Sequence, residues 1–273
     1  MAKTPTTAEP LLTEERPRFA PERRARILEW LREHGRVEVL DLARMLGVSE
    51  HTIRRDLLDL QAQGALQKTH GGAVALDTAR LGFEARVGVL PQAKQAIGQA
   101  AAERVQPGQT VILDAGSTTL AMARALRARP LTVITNALDV AQLFDRDPRV
   151  QLVLTGGTWQ AEQRALWGPA VLAQLAACRA DWAVPGACAL DVRMGVTASD
   201  EADAAVKRAM IGAAARTMIL ADHSKHQSVA PFVVAPWAQV HTLVTDRAWP
   251  EVAAQGVEML VVDERAPAPP GRP

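Results

Sequence analysis

The segment LARMLGVSEHTIRRDLLDLQAQGAL, residues 42–66, decides the fold of the first part of this chain. Gly47 separates two stretches in which apolar residues recur at helical spacing, and Ser49 is a favoured N-cap residue for the second stretch. At about 100° per residue, Ile53, Leu57 and Leu60 fall on one narrow stripe of that second helix. Two helices joined by a tight glycine turn predict a helix-turn-helix.

Further elements are predicted on both sides of this segment. Pro21 favours a helix start, and the apolar residues that follow it keep helical spacing until Gly35. Residues 36–38 form a short extended stretch, and the pattern of residues 65–74 predicts a hairpin. Asp56 falls at the edge of the buried stripe, where we expect it to pair with a nearby arginine rather than to contact DNA.

Polar and basic residues occupy the outer side of the second helix and the hairpin. The early turns of a recognition helix contact bases and phosphates, and arginine can bridge O6 and N7 of guanine. The candidate DNA-binding residues are Ser49, His51, Thr52, Arg54, Arg55, Lys68, His70 and Gly71. The alternative is a helical bundle with a solvated arginine pair. Charge does not decide between the two, because residues 21–74 contain nine Lys/Arg and eight Asp/Glu.

Length and composition indicate an ordinary globular protein with more than one domain. The chain has 273 residues, 48% hydrophobic and 22% charged, and a formal net charge of +1. The longest apolar runs are about half of the ~20 residues that a membrane span needs, and the N-terminus lacks an apolar signal region. Cys178 and Cys188 form neither a disulfide framework nor a zinc ribbon. We expect a cytoplasmic protein that makes no membrane contact.

Strand and helix patterns alternate after residue 92 and predict a mostly parallel α/β sheet. The candidate strands are 110–114, 131–135, 150–154, 181–185, 217–221, 240–245 and 257–262, and the candidate helices are 92–105, 119–128, 138–144, 168–177, 200–214 and 249–254. We expect a disordered tail over 1–20, a DNA-binding domain over 21–74, a linker with one short helix over 75–91, an α/β domain over 92–263 and a second disordered tail over 264–273.

A loop of small residues follows the first strand of the α/β domain. Asp114, Gly116, Ser117, Thr118 and Thr119 lie in it, directly before a predicted helix. Free backbone N–H groups and the positive end of the helix dipole favour a phosphate at such a position. The loop is neither a Walker loop nor a GxGxxG fingerprint. A plain capped turn is the equally weighted alternative.

Two further loops and a helix supply more candidates at the same edge of the sheet. Gly156-Gly157 and Gly186-Ala187-Cys188 also follow strands, and ligands of parallel sheets gather at the carboxyl ends of strands. Asp203 and Lys207 lie four residues apart on an apolar helix face, so Lys207 points inward, where it either meets an anionic ligand or forms a buried ion pair. Asp222 and Lys225 follow another strand and can join this site.

Several motifs together resemble the DeoR family of bacterial repressors. The N-terminal part has ERRARILEWLREHGRVEV, GVSEHTIRRDL and KTHGGAV, and the α/β part has DAGSTT, VITNAL, LTGG, GVTASDEADAAVKRAMI and LADHSK in the family's order. The resemblance covers roughly residues 20–246. It implies a winged helix-turn-helix followed by an effector domain similar in fold to ribose-5-phosphate isomerase.

The resemblance also implies a ligand. This is a phosphorylated sugar or a close metabolite, with its phosphate at the loop from Asp114 to Thr119. Lys94, Asp203, Lys207 and Lys225 match charged positions of the family pattern. Cys188 stands where the family usually has an aspartate, which changes the expected effector geometry.

We therefore expect a DNA-binding repressor of a carbohydrate-metabolism operon that the effector releases from its operator. It would act as a homo-oligomer, a dimer or tetramer, on double-stranded DNA with symmetric half-sites. The alternative is a sugar-phosphate isomerase with an accessory helical domain, but no paired-carboxylate motif supports it. No cofactor is expected. His223 and His226 lack further metal ligands, and we expect them to contact solvent or the ligand.

Overall fold

The computed structural model of the protein describes residues 19–62, 65–75 and 81–262. The chain divides into two compact units, Met1–Leu76 and Asp77–Pro273. The predicted tails over 1–20 and 264–273 lie outside the described residues, except for Phe19 and Ala20, and Ala20 already begins the first helix. Residues 76–80 of the predicted linker also lie outside them, as do residues 63 and 64.

The N-terminal unit contains three helices and a three-stranded sheet. Its elements are α1 (Ala20–His34), β1 (Arg36–Glu38), α2 (Val39–Leu46), α3 (Glu50–Ala62), β2 (Leu66–Lys68) and β3 (Gly72–Ala75). The predicted apolar stripe of α3 is buried, since Ile53 and Leu57 are fully inaccessible and Leu60 nearly so. It packs with apolar residues of α1 and α2 in one core. Gly35 and Gly47 both end their helices in the left-handed conformation, as expected for C-cap glycines.

The sheet of this unit has the order β1-β3-β2, and both pairs are antiparallel. The predicted hairpin is therefore present, and the extended stretch Arg36–Glu38 adds a third strand to it. Gly72 permits the close approach of β3 to β1, because a Cβ at this position would lie 1.9 Å from the carbonyl oxygen of Val37. The unit is a winged helix-turn-helix, with β2 and β3 as the wing.

The C-terminal unit is built on a seven-stranded parallel sheet. Its strands are β4 (Thr110–Leu113), β5 (Leu131–Thr135), β6 (Val150–Leu154), β9 (Ala180–Val184), β12 (Ala214–Leu220), β14 (Thr242–Thr245) and β15 (Glu258–Val261). The order is β15-β14-β12-β9-β4-β5-β6, and every neighbouring pair is parallel. These are the seven strands that the apolar runs predicted, and they confirm the parallel α/β class.

Helices cover both faces of this sheet. They are α4 (Phe83–Val87), α5 (Pro91–Ala102), α6 (Ser117–Ala125), α7 (Leu138–Ala141), α8 (Pro169–Ala176), α9 (Glu201–Gly212) and α10 (Pro250–Ala253). Alternate residues of β4 enter different cores: Val111 and Leu113 pack with α5 and α6, whereas Ile112 packs with α8 and α9. A sheet buried on both faces explains why its strands are continuous apolar runs.

Two small antiparallel sheets were not predicted. β7 (Thr158–Gln160) and β8 (Ala165–Trp167) form a hairpin, and β10 (Ala189–Asp191), β11 (Gly195–Ala198) and β13 (Phe232–Ala235) form a three-stranded sheet. Their strands have three or four residues, which is too short for a clear alternation of apolar and polar positions. Among the described residues, no helix has the length and apolar character needed to cross a membrane.

Candidate functional site

The exposed face of α3 carries the candidate DNA-binding side chains. His51, Arg54 and Arg55 are exposed, and Thr52 is half-buried. The Ser49 hydroxyl accepts a hydrogen bond from the Thr52 backbone N–H at 3.2 Å. Ser49 therefore caps the helix, as the sequence predicts. The geometry places these residues in the first two turns of α3, where a recognition helix reads DNA.

The two arginines of α3 differ in their partners. Arg54 Nη2 lies 3.0 Å from Glu50 Oε2, one helical turn earlier, and both side chains are about half exposed. Arg55 forms no hydrogen bond or ion pair with any part of the chain that the structure describes. The exposed pair of Arg54 and Glu50 contributes little to stability, so it can open at small cost when a phosphate approaches.

Asp56 ties α3 to α1 and does not face outward. Its carboxylate lies 2.5 Å from Arg23 Nε and 3.1 Å from Arg24 Nε, and the Asp56 side chain is 3% exposed. Arg24 also pairs with Asp59. The predicted structural pair with a nearby arginine is thus present, with two arginines instead of one.

The wing residues are positioned by its backbone hydrogen bonds. The Thr69 N–H donates to the Gly72 carbonyl at 3.0 Å, which closes the turn between β2 and β3. Gly71 accepts from the Val39 N–H at 2.9 Å, which holds the turn against the start of α2. His70 and Gly71 are exposed and Lys68 is half-buried. These three lie on an edge of the unit that a DNA backbone can approach.

A cavity lies in the C-terminal unit at the carboxyl ends of β4, β9 and β12. The three strands are neighbours in the sheet, so the loops after them meet at one edge. The lining residues are Arg86, Ala115, Gly116, Ser117, Thr118, Thr119, Gln163, Ala165, Gly186, Ala187, Cys188, Asp203, Lys207, Leu220, Ala221 and Lys225. The predicted small-residue loop, the third loop and the charged pair of α9 therefore come together, and Lys225 joins them.

Lys207 lies beneath this cavity in a network of carboxylates. Its ammonium group pairs with Asp203 and lies 3.3 Å from Asp114 Oδ2, and its side chain is 4% exposed. Burial alone would lower the pKa of Lys207, but the two carboxylates outweigh it and raise the pKa above its ordinary value. Lys207 thus points inward as its position on an apolar helix face predicts, and the buried ion pair that was the alternative is present.

Asp114 and Gly186 connect two of the loops. Asp114 accepts hydrogen bonds from the backbone N–H of Ala115 at 2.7 Å and of Gly186 at 2.8 Å. A Cβ at Gly186 would lie 3.2 Å from the Ala115 carbonyl oxygen, so a larger residue would require the loops to shift by a few tenths of an ångström. Asp114 is buried and holds the loop that contains Ser117 and Thr118, but its own side chain does not line the cavity.

A second charged group lies around Asp222, after β12. Lys94 Nζ of α5 is 3.1 Å from Asp222 Oδ2, and both side chains are buried. Burial lowers the pKa of Lys225 to about 8, against the opposing charge of Asp222. Lys94 contacts Asp222 and the Val89 carbonyl, and it does not line the cavity. Lys94 therefore lies behind the residues that line the cavity, whereas the resemblance implied that it belongs to the ligand site.

Gly156 and Gly157 do not belong to the cavity. They follow β6, which is the edge strand of the sheet and is separated from β4 by β5. The Gly156 N–H donates to Gln174 Oε1 at 3.1 Å, and Gly157 packs closely against Trp167 and Val171 with φ +124°. The prediction of these two glycines as cavity residues is corrected for a topological reason: a loop at the carboxyl edge is near the ligand only if its strand is central.

The two histidines after β12 contact protein groups. His223 Nδ1 lies 2.5 Å from Asp246 Oδ2, and His226 stacks on Trp249 with ring centroids 4.4 Å apart. Neither lines the cavity, but both are half-buried and so keep the expected contact with solvent. Within the described residues, no group of three or more His, Cys, Asp or Glu side chains is arranged to hold a metal ion.

Sequence reasoning missed Arg86 and Gln163, which both line the cavity. Arg86 belongs to the short helix in the predicted linker, and Gln163 belongs to the turn of the unpredicted hairpin β7–β8. No motif marks either residue, because the contact joins positions 77 residues apart. Cys188 lines the cavity as predicted, and its thiol lies 3.7 Å from Asp203 Oδ2.

Both units match known protein families. Residues 23–79 match the DeoR-like helix-turn-helix domain, and residues 90–247 match the DeoR C-terminal sensor domain. The first match covers the winged unit with Arg54 and Arg55. The second covers the parallel sheet and most of the residues that line its cavity.

Curated relatives match nearly the whole chain. The chain is 34% identical to the transcriptional repressor GlcR of Bacillus subtilis, and the match covers 90% of this chain and 98% of the relative. It is 32% identical to the L-fucose operon activator of Haemophilus influenzae, with 82% and 91% covered. It is also 32% identical to the transcriptional repressor CsqR of Escherichia coli, with 82% and 87% covered.

Similar solved structures are more distant. A ribose 5-phosphate isomerase from Methanocaldococcus jannaschii matches with 17% identity and a TM-score of 0.36, covering 49% of this chain and 53% of that one. The delta subunit of eIF2B from Chaetomium thermophilum matches with 11% identity and a TM-score of 0.47, covering 84% and 72%.

Proposed function

Because this chain belongs to the DeoR family of transcriptional regulators, we propose that it represses a carbohydrate-metabolism operon and that a phosphorylated sugar or related metabolite releases it from DNA. Like its relatives, it is a DNA-binding regulator and not an enzyme. One relative is named as an activator, so the direction of control is part of the proposal. We propose that it acts in the cytoplasm.

The DNA-binding part of the proposal rests on α3 and the wing. Arg54 and Arg55 are exposed on the early turns of a helix whose opposite face is buried. The residues proposed to contact the operator are Ser49, His51, Thr52, Arg54, Arg55, Lys68, His70 and Gly71. Two copies of the chain, as a dimer or within a tetramer, would place two such helices in successive major grooves of a symmetric operator.

The ligand part of the proposal rests on one observation, a cavity at the carboxyl ends of three neighbouring parallel strands, lined by cations and by the first turn of a helix. Ser117, Thr118 and Thr119 form the first turn of α6 and line the cavity. Their hydroxyls and free backbone N–H groups favour a phosphate at this helix end. Lys207 and Lys225 add positive charge, and Asp203 can accept hydrogen bonds from sugar hydroxyls.

Regulation would follow from unequal binding to two conformations. A ligand shifts an equilibrium only by the difference in its affinities for the two states. We propose that the state of the sensor unit with ligand bound has lower operator affinity. The positions of the two winged units of an oligomer would then change through the chain that joins each unit to its sensor.

Two measurements test this function. A DNA fragment selected by the protein from a random pool should bind it specifically, and a set of sugar phosphates should include one that raises its melting temperature and releases that fragment. The matching unphosphorylated sugars are the control. Failure of every sugar phosphate would overturn the effector assignment while leaving DNA binding intact, and steady isomerase turnover would support the rejected alternative.

A further inference from the structure

The Arg86 side chain reaches the cavity from outside the parallel sheet. Its Nη1 donates hydrogen bonds to Gln163 Oε1 at 2.7 Å and to the Leu81 carbonyl at 3.0 Å. Its Nε and Nη2 donate to no group within residues 19–62, 65–75 and 81–262. One nitrogen therefore anchors the guanidinium, and two others remain to bind a ligand. Guanidinium donors in this arrangement suit the oxygens of a phosphate or carboxylate.

The charges around the cavity indicate that Arg86, rather than Lys207 or Lys225, gives the cavity its net positive charge. Lys207 is surrounded by two carboxylates, Asp114 and Asp203, which together outweigh its charge. Lys225 lies near Asp222, which is also paired with Lys94, so this second group carries a small positive excess. The net negative charge of the group around Lys207 and the net positive charge of the group around Asp222 cancel. Arg86 then supplies the net positive charge that an anionic ligand requires.

The charge of Arg86 acts on the pKa values of two other groups in the cavity. Burial raises the pKa of Asp203, and Arg86 is among the cations that oppose this rise. Burial lowers the pKa of Lys225 to about 8, and Arg86 adds to this effect as a like charge. Asp203 and Lys225 line the same cavity as Arg86, so the three charges act on one another across it.

The helix that carries Arg86 is held on the β7–β8 turn. The Phe83 N–H donates to the Glu162 carbonyl at 2.9 Å, and the Arg164 guanidinium lies 5.7 Å from the centre of the Phe83 ring. With the bond from Arg86 to Gln163, the short helix α4 is thus attached at several points to residues 162–164. Within the described residues of the C-terminal unit, which begins at Asp77, α4 is also the first helix.

We propose that Arg86 contacts the anionic group of the ligand and that its helix, α4, responds to ligand binding. This inference rests on the proposed function, because it names the residue through which the same cavity recognises its effector. Lys207 then serves to hold the loops together. A ligand bound to Arg86 would pull on the first helix after the DNA-binding unit, which makes α4 the element that reports occupancy of the cavity.

The first test measures binding of inorganic phosphate at constant ionic strength, by titration calorimetry on the full chain. Arg86→Ala is expected to weaken binding at least tenfold. Arg146→Ala is the matched control, since Arg146 is exposed and does not line the cavity, and it should bind as the wild type does. Arg86→Lys, which keeps the charge, should lose less affinity than Arg86→Ala.

Gln163→Glu gives an independent variant that does not depend on the folding of Arg86→Ala. The new carboxylate still accepts the hydrogen bond from Arg86, but its negative charge neutralises the guanidinium. We therefore expect α4 to stay attached while phosphate binding falls at least tenfold. Unchanged binding in Gln163→Glu or in a folded Arg86→Ala would overturn the inference and leave the proposed function standing. If the wild type binds neither phosphate nor any sugar phosphate, both proposals fail.

The second test follows hydrogen exchange of the α4 amides. Phosphate should slow exchange over Phe83–Val87 in the wild type and in Arg146→Ala, but not in Arg86→Ala. Protection confined to the first turn of α6, with α4 unaffected in a wild type that binds phosphate, would show that the ligand does not engage Arg86.

Discussion

Lys207 Nζ lies 3.3 Å from Asp114 Oδ2, and this contact joins α9 to the loop after β4 at the base of the cavity. Asp203, on α9 itself, pairs with the same ammonium group. Asp114 in turn accepts hydrogen bonds from the loops after β4 and β9. A single buried lysine therefore fixes three of the segments that form the site, and its removal affects the fold as well as any ligand.

Lys207→Met is expected to destabilise the C-terminal unit by about 3–5 kcal/mol, because it leaves two buried carboxylates without their cation. The loss is measured from denaturant unfolding of the full chain at neutral pH. Arg208→Met is the matched control on the next position of α9, since Arg208 is exposed and should cost less than about 1 kcal/mol. Equal stability of Lys207→Met and the wild type would contradict this role for Lys207.

The same variant should gain stability relative to the wild type as the pH falls. Burial already raises the pKa of Asp203, and Lys207 opposes that rise. Without the lysine, the pKa of this carboxyl in the folded state is higher still than its unfolded value of about 4. A raised folded pKa contributes stability at low pH that is lost as the pH increases through the folded value. The deficit of Lys207→Met should therefore shrink as the pH falls and be smallest at about pH 4 and below, and a deficit independent of pH would argue against uncompensated carboxylates.

The fold could be predicted from the sequence where the apolar pattern is local. The stripe of α3 and the seven apolar runs of the parallel sheet depend on spacing within single elements, and all of them are present. The resemblance to a family added the winged topology and the order of the loops. The hairpin β7–β8 could not be predicted, because its three-residue strands carry no pattern of their own.

The site was predictable only in part, for a topological reason. Ser117, Lys207 and Lys225 come together because their elements neighbour the central strands, and small or charged residues after strands gave the signal. The same signal at Gly156 was misleading because β6 is an edge strand. Arg86 has no local signal at all, since only the tertiary contact with Gln163 brings it to the cavity.

Asp56→Ala should destabilise the N-terminal unit by about 3 kcal/mol, because the buried Arg23 loses its partner. Asp59→Ala removes a carboxylate that is 43% exposed and pairs with Arg24, so it should cost less than about 1 kcal/mol. Hydrogen exchange of the α3 amides in the full chain measures both effects. Equal protection in the two variants would mean that Asp56 does not hold α3 against α1.

Arg55→Ala and Arg54→Ala should each weaken binding to a selected operator fragment while leaving the fold intact. A bidentate contact between arginine and guanine contributes about 1–3 kcal/mol of discrimination. Loss of a contact to phosphate would instead lower affinity for all sequences and reduce the slope of log affinity against log salt concentration by about one. Affinity measured at several salt concentrations separates the two roles. Arg146→Ala, in the other unit, serves as the control, and wild-type affinity in both α3 variants would refute the recognition-helix assignment.

Phosphate binding should weaken as the pH increases from about 7 to about 9. Burial lowers the pKa of Lys225 to about 8 in the free protein, so its positive charge is lost within this range. Each unit of pH above that value would reduce affinity by up to about tenfold if one proton is required for binding. The groups whose charges act on Lys225 are Asp222, Cys188, Arg86 and Lys94.

Lys225→Met tests the assignment of this pH dependence. The variant should bind phosphate more weakly at pH 7 and should lose most of the change between pH 7 and 9. Cys188→Ser is the matched control, because it changes another residue of the cavity wall and leaves Lys225 in place, and it should keep the wild-type profile. Calorimetric titrations at matched ionic strength measure all three proteins. A flat profile in Cys188→Ser would contradict the assignment to Lys225, and a wild-type profile in Lys225→Met would exclude Lys225 as the source of the pH dependence.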